Sequence, residues 1–160
     1  MKKLKIYLDT SVINFLFADD APGYQNVTKS FFAEYLDEYE IFISEIVLAE
    51  ISETPQADRK KLLLSALETD KIRVIENDRQ EEISALAAKY IKSGIIPPRK
   101  QEDALHVAFC TVYEIDILLS WNFKHLANIK KQILINAINE TEGYQKRLYL
   151  LNPLEVVYEK

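Results

Sequence analysis

Two apolar spacings alternate along the chain, and their succession predicts its elements. Leu4, Ile6 and Leu8 alternate with Lys3, Lys5 and Tyr7 in a stretch rich in strand formers, which predicts a strand from Leu4 to Leu8. It stops at Asp9-Thr10-Ser11, a run able to cap a following helix. From Thr28 to Tyr39 the spacing changes: Phe31, Phe32, Tyr35, Leu36 and Tyr39 recur every three or four residues, predicting an amphipathic helix that leads into a strand from Ile41 to Ile43. Ser44 reads as the N-cap of a helix from about Glu45 to Glu53, ended by Pro55. A helix from about Asp58 to Glu68 then precedes a strand from Ile72 to Ile75. Asp78 is expected to cap a helix reaching about Lys92, with Gly94 as its terminator. Pro97-Pro98 turns the chain into a helix from about Gln101 to Tyr113 and a strand from Asp116 to Leu119. Two more apolar runs, Gln132 to Ile135 and Leu148 to Leu151, are read as strands. Strands alternating with helices imply a mainly parallel central sheet covered on both faces, a three-layer α/β/α sandwich.

Composition narrows this picture. The 160 residues carry no internal repeat, linker or low-complexity stretch, so one domain spanning 1–160 is expected. With 48% apolar and 28% charged residues and only three glycines and five prolines, neither disorder nor a fibrous repeat is suggested. Cys110 is the only cysteine, which excludes an internal disulfide or a cysteine-rich zinc site and fits a cytoplasmic setting. Met1-Lys2-Lys3 begins as a signal peptide does, but Lys5 and Asp9 interrupt the apolar stretch and no small-residue cleavage site follows. No run approaches the roughly 18 apolar residues needed to span a bilayer, so no membrane association is expected.

A net charge of −5 argues against a large sequence-independent nucleic-acid footprint, though not against one bridged by metal. The basic clusters Arg59-Lys60-Lys61, Arg99-Lys100, Lys130-Lys131 and Lys146-Arg147 read first as solvated surface and second as local guides for a phosphate backbone.

Sites in open α/β sheets form beyond the carboxyl ends of the strands, and carboxylates gather there. Asp9 ends the first strand, where an ordinary acid would simply cap a helix. Glu50 falls between Ile46 and Val47 on a helical wheel, within an apolar sector completed by Leu48 and Ile51, so it is aimed inward. A buried carboxylate normally neutralises, pairs with a cation or binds a metal. Asp103 opens a helix that is apolar almost all round and shares the face of Val107 and Cys110, whereas Glu102 points to solvent. Ser120 and Asn122 follow the strand that ends at Leu119; turn formation is their ordinary role. Convergent oxygen ligands of this kind suit Mg²⁺ or Mn²⁺. His106 reads as a core histidine bonded to backbone, and His125 as part of a loop.

Four passages together carry a resemblance: Tyr7-Leu8-Asp9-Thr10-Ser11-Val12-Ile13, Val47-Leu48-Ala49-Glu50-Ile51, Glu102-Asp103-Ala104-Leu105-His106-Val107-Ala108, and Leu118-Leu119-Ser120-Trp121-Asn122-Phe123-Lys124-His125-Leu126. In order, spacing and setting they resemble the PIN-domain family over most of the chain. The resemblance implies a parallel-sheet sandwich, acids around one or two divalent ions (Mg²⁺ or Mn²⁺), and hydrolysis of an RNA phosphodiester. Asp9, Glu50 and Asp103 match the family's metal-binding acids, Asn122 matches a place where many members carry a fourth Asp, and Thr10 and Ser120 match supporting polar positions. The Asn lowers the negative charge of the site. The chain's size further resembles that of the family's toxins, which act as homo-oligomers and are neutralised by an antitoxin protein. A PIN-like module that binds RNA or protein without cutting is the non-enzymatic alternative.

Other readings of the acids fail on single residues. An aspartyl phosphatase needs an acid where Ser11 stands, a receiver domain needs an acidic pair after a strand where Asp19-Asp20 follows none, and Gly23, Gly94 and Gly143 are too scattered for a phosphate-binding loop.

Overall fold

The computed structural model describes residues 2–157. Five strands, β1 (Lys5–Leu8), β2 (Glu40–Ser44), β3 (Ile72–Ile75), β4 (Ile117–Leu119) and β5 (Tyr149–Leu151), form one sheet in the order β3-β2-β1-β4-β5, and every pairing is parallel. Parallel strands require crossovers, supplied by α1 (Thr10–Phe15), α2 (Pro22–Glu34), α3 (Glu45–Ser52), α4 (Ala57–Ala66), α5 (Gln80–Lys92), α6 (Gln101–Val112) and α7 (Ile129–Thr141). α1 packs against α2, α3 and α4, and α5 against α6 and α7. The result is the expected α/β/α sandwich. Its centre is β1 and β4, whose Ile6, Tyr7, Leu8, Leu118 and Leu119 are wholly enclosed, as strands covered on both faces must be.

The sheet order positions the site. β1 and β4 are neighbours although the chain visits β2 and β3 between them, and at such a switch of direction the crossovers leave a crevice beyond the strand ends. Asp9 follows β1 there, its N–H donating to the Leu119 carbonyl at 3.2 Å. It also caps α1, accepting from the Val12 N–H at 3.3 Å. Ser44 caps α3 as expected, accepting from the Ile46 N–H at 3.2 Å. Gly94 closes α5 with φ +82°, a conformation that costs glycine little.

Three expectations are corrected. The helix assigned to Thr28–Tyr39 begins at Pro22 and ends at Glu34, because proline is accommodated at a helix start and Leu36–Glu38 tightens into a 3₁₀ turn. Asp78 does not cap α5, which starts at Gln80 without a side-chain cap; Asp78 instead accepts the Tyr113 hydroxyl at 2.7 Å. Gln132 to Ile135 is helix, part of α7, with its polarity inverted: Gln132, Ile135 and Asn139 are buried, while Ile129 and Ile133 are 68% and 61% exposed. The inward polar groups grip strand β5. Gln132 Oε1 accepts the Leu150 N–H at 2.9 Å, and the Asn136 amide accepts the Leu148 N–H at 2.9 Å and donates to its carbonyl at 2.7 Å. No helix among the described residues is long and apolar enough to cross a membrane.

Candidate functional site

Beyond the carboxyl ends of β1, β2 and β4 the chain gathers acids, hydroxyls and one imidazole. Asp9 is 4% exposed. Its Oδ1 accepts the Ser11 hydroxyl at 2.5 Å, and the Ser11 oxygen in turn accepts the Trp121 N–H at 3.0 Å and lies 3.4 Å from Ser120 Oγ. Burial pushes the Asp9 carboxyl above its ordinary value, against the His106 ring and the Ser11, Ser120 and Val12 hydrogen bonds, which pull it down. Ser120 is fully buried and holds the start of the next loop by accepting the Asn122 N–H at 3.0 Å.

Glu50, on α3, is half-buried, and its Oε1 lies 2.6 Å from His106 Nε2. The ring is 2% exposed, and its Nδ1 lies 2.6 Å from the Tyr7 hydroxyl, itself 2.6 Å from Ser44 Oγ. One proton arrangement satisfies every atom: Ser44 donates to Tyr7, Tyr7 to Nδ1, and Nε2–H to Glu50. His106 is therefore buried as expected, but its partners are two side chains rather than backbone.

Asp103, in the first turn of α6, is partly buried. Desolvation raises its carboxyl above the ordinary value, Asp9 and Glu50 raise it further, and His106 and Lys100 oppose them. Asp103 thus feels the charges of both other acids. Asn122 joins them through its amide nitrogen, 3.5 Å from Asp103 Oδ2, while its oxygen accepts the His125 N–H at 3.1 Å. Thr10 is 9% exposed, and its hydroxyl oxygen has no hydrogen-bond partner among the described residues. Among the described residues no three His, Cys, Asp or Glu side chains form a ready-made metal cluster. Carboxylate and hydroxyl oxygens are nevertheless donors of the kind a hard cation takes.

Sequence reasoning missed Ser11 and Tyr7 as parts of this network. Tyr7 carried a usable signal, a hydroxyl on a strand with fully buried neighbours, which must find a partner. The four basic clusters also part company. Arg59 donates to the Asn14 and Phe17 carbonyls at the end of α1, and Lys146 pairs with Asp116 at 2.9 Å. His125 is held below its ordinary value by desolvation and then by the charges of Lys124, Lys100, Arg99 and Lys131. Two surface hollows of about 400 and 440 Å³ border α5 and contain none of the three acids, so chemistry rather than cavity size marks the site.

A family model described as PIN domain matches residues 6–131. Among solved structures the chain is similar to VapBC2 from Rickettsia felis bound to a DNA fragment from their promoter, at 18% identity and TM-score 0.56 over 93% of this chain and 98% of that one. It is also similar to the sarcin-ricin loop cleaving toxin VapC20 from Mycobacterium tuberculosis, at 14% identity and TM-score 0.53 over 87% and 95% of the two chains. At these identities the likeness is one of fold. No curated protein matches the chain in sequence.

Proposed function

The chain belongs to the PIN-domain family, and from that premise we propose that it is a divalent-metal-dependent endoribonuclease, the toxin of a toxin–antitoxin pair. The observation that supports it most is the Asp103 carboxyl, raised above its ordinary value by desolvation and then by the charges of Asp9 and Glu50, with the buried Asp9 at the end of β1 raised likewise by burial. Such an arrangement is poorly suited to stability and well suited to a site.

Asp9, Glu50 and Asp103 would hold Mg²⁺ or Mn²⁺, with Thr10 and Ser120 in support. A bound divalent ion supplies an activated water for attack on phosphorus and positive charge for the leaving oxygen. The chain's own groups do the positioning. Ser11 fixes one oxygen of Asp9 and His106 fixes one of Glu50, leaving the other oxygen of each carboxylate outside those bonds. Asn122 donates toward Asp103 and places no fourth negative charge in the site. In this reading the toxin acts in the cytoplasm as a homodimer and is checked by an antitoxin protein that covers the acids; the fold similarity to VapBC2 and VapC20 supports its toxin part. The weak or non-catalytic RNA- or protein-binding reading draws on the Asn122 oxygen, which its own loop already occupies.

Purified protein incubated with single-stranded and structured RNA in Mn²⁺, Mg²⁺ or EDTA, beside folded Asp9→Asn and Asp103→Asn variants, decides between them. Cleavage that requires metal and is lost in both variants is expected. No cleavage of any RNA, with no Mn²⁺-induced rise in Tm, would leave the non-catalytic module.

A further inference from the structure

Beside the acids lies a ledge with a different chemistry. Tyr24, on α2, and Phe123, in the loop after β4, are 44% and 40% exposed. Their rings lie 6.0 Å apart, and each packs on the buried Trp121, at 4.7 and 5.7 Å. Trp121 is fastened at both ends: its backbone N–H to Ser11, the partner of Asp9, and its indole N–H to Thr28 Oγ1 at 2.8 Å. The two exposed rings are thereby set at a fixed place on the rim of the acidic site. Clustered exposed aromatics mark a contact surface more often than isolated ones do.

From Phe123 the chain continues into Lys124 and His125, whose ring feels the charges of Lys100, Arg99 and Lys131, and Lys100 also acts on Asp103. Among the described residues Arg99, Lys100 and Lys124 enter no salt bridge, although the chain holds 25 acids against 20 bases. Cations left unneutralised in an acidic chain, next to flat apolar rings, complement a polyanion that also presents flat apolar faces.

We propose that Tyr24 and Phe123 form a base-stacking platform, and Arg99, Lys100 and Lys124 a phosphate track, that together take an unpaired RNA strand into the acidic site. The RNA in this inference rests on the ribonuclease reading; the platform rests on the rings. At 6.0 Å and 49° the two rings leave no slot for a base between them, so bases lie on their outer faces. Only unpaired bases can do so, since a duplex keeps its bases stacked inside.

The test measures binding by fluorescence anisotropy in the Asp103→Asn background with Mn²⁺, using a short mixed-sequence single strand and a blunt-ended duplex of the same length. The single strand should bind more tightly than the duplex, and Tyr24→Leu/Phe123→Leu should weaken it about tenfold or more while Tyr24→Phe does not. Lys100→Ala and Lys124→Ala should each flatten the dependence of log K on log salt by about 0.7. Unchanged affinity in the folded double-Leu variant, equal affinity for the duplex, or no RNA binding overturns the platform and leaves the ledge to a protein partner. The two readings fail separately. Wild-type cleavage with unaltered KM in the double-Leu variant sinks the platform alone, whereas Tyr24- and Phe123-dependent binding by a chain that cuts no RNA sinks the ribonuclease alone.

Discussion

His106 is buried with both ring nitrogens engaged, so its replacement by Leu keeps an apolar filling and removes two hydrogen bonds at once. Tyr7 would retain Ser44, but Glu50 would lose the only side chain among the described residues that bonds it. His106→Leu should lower unfolding stability by about 1–3 kcal/mol, measured in urea. It should also weaken Mn²⁺ binding or cleavage by roughly 10–100-fold, the usual effect of losing a group that orients a ligand. Unaltered cleavage would show that Glu50 needs no such support. The burial of His106 was legible from its apolar helix. Its partners were not, because Tyr7 and Glu50 lie 99 and 56 residues away in the chain and spacing along one helix says nothing of what another brings. Asp9 was legible for the opposite reason: the end of a strand and the start of a helix are both local.

Strands were the most readable elements, since β1 to β4 are short apolar runs bounded by turn residues, and the end of each falls within about one residue of where those runs place it. α7 was unreadable for a physical reason: a short apolar run suits a strand as well as a helix, and here Ile129 and Ile133 face solvent while Gln132 and Asn139 face the protein. Asn139 repays that inversion. It joins Tyr90 on α5 and Thr111 on α6, accepting the Tyr90 hydroxyl and donating to Thr111 Oγ1 at 3.0 Å, so one amide ties three helices together. Asn139→Leu, which leaves the buried Tyr90 hydroxyl with Thr111 alone, should cost about 1–3 kcal/mol. Adding Tyr90→Phe should recover part of the loss, because removing both partners is milder than orphaning one. Equal destabilisation in the single and double variants, read from chemical denaturation, would contradict this.

The whole molecule carries an electrostatic burden whose sign is fixed. In the unfolded chain Asp9 and Asp103 ionise at ordinary values, but in the folded chain burial holds both higher. Between the two values the folded state keeps protons that the unfolded state has lost, so this contribution falls as pH rises through the window and remains unfavourable at neutrality. Glu82, lowered by its bond from Tyr144 and then by Arg79, acts the other way and loses its contribution as pH falls. A difference between variants isolates the first effect. In EDTA at pH 7, Asp103→Asn should melt above the wild type, by about 2–4 °C per kcal/mol relieved at this size. The gap should narrow on acidification toward the ordinary carboxylate range and reverse in Mn²⁺. A lower Tm for Asp103→Asn in EDTA would mean that the carboxylate stabilises the fold. The grip of α7 on β5 has a further consequence at this scale. With the outward amide of Leu150 and both backbone groups of Leu148 already taken by Gln132 and Asn136, an extended segment from another chain finds no free ladder there to extend. Templated strand addition is thereby steered to the opposite margin, at β3, where Val74 stands half exposed.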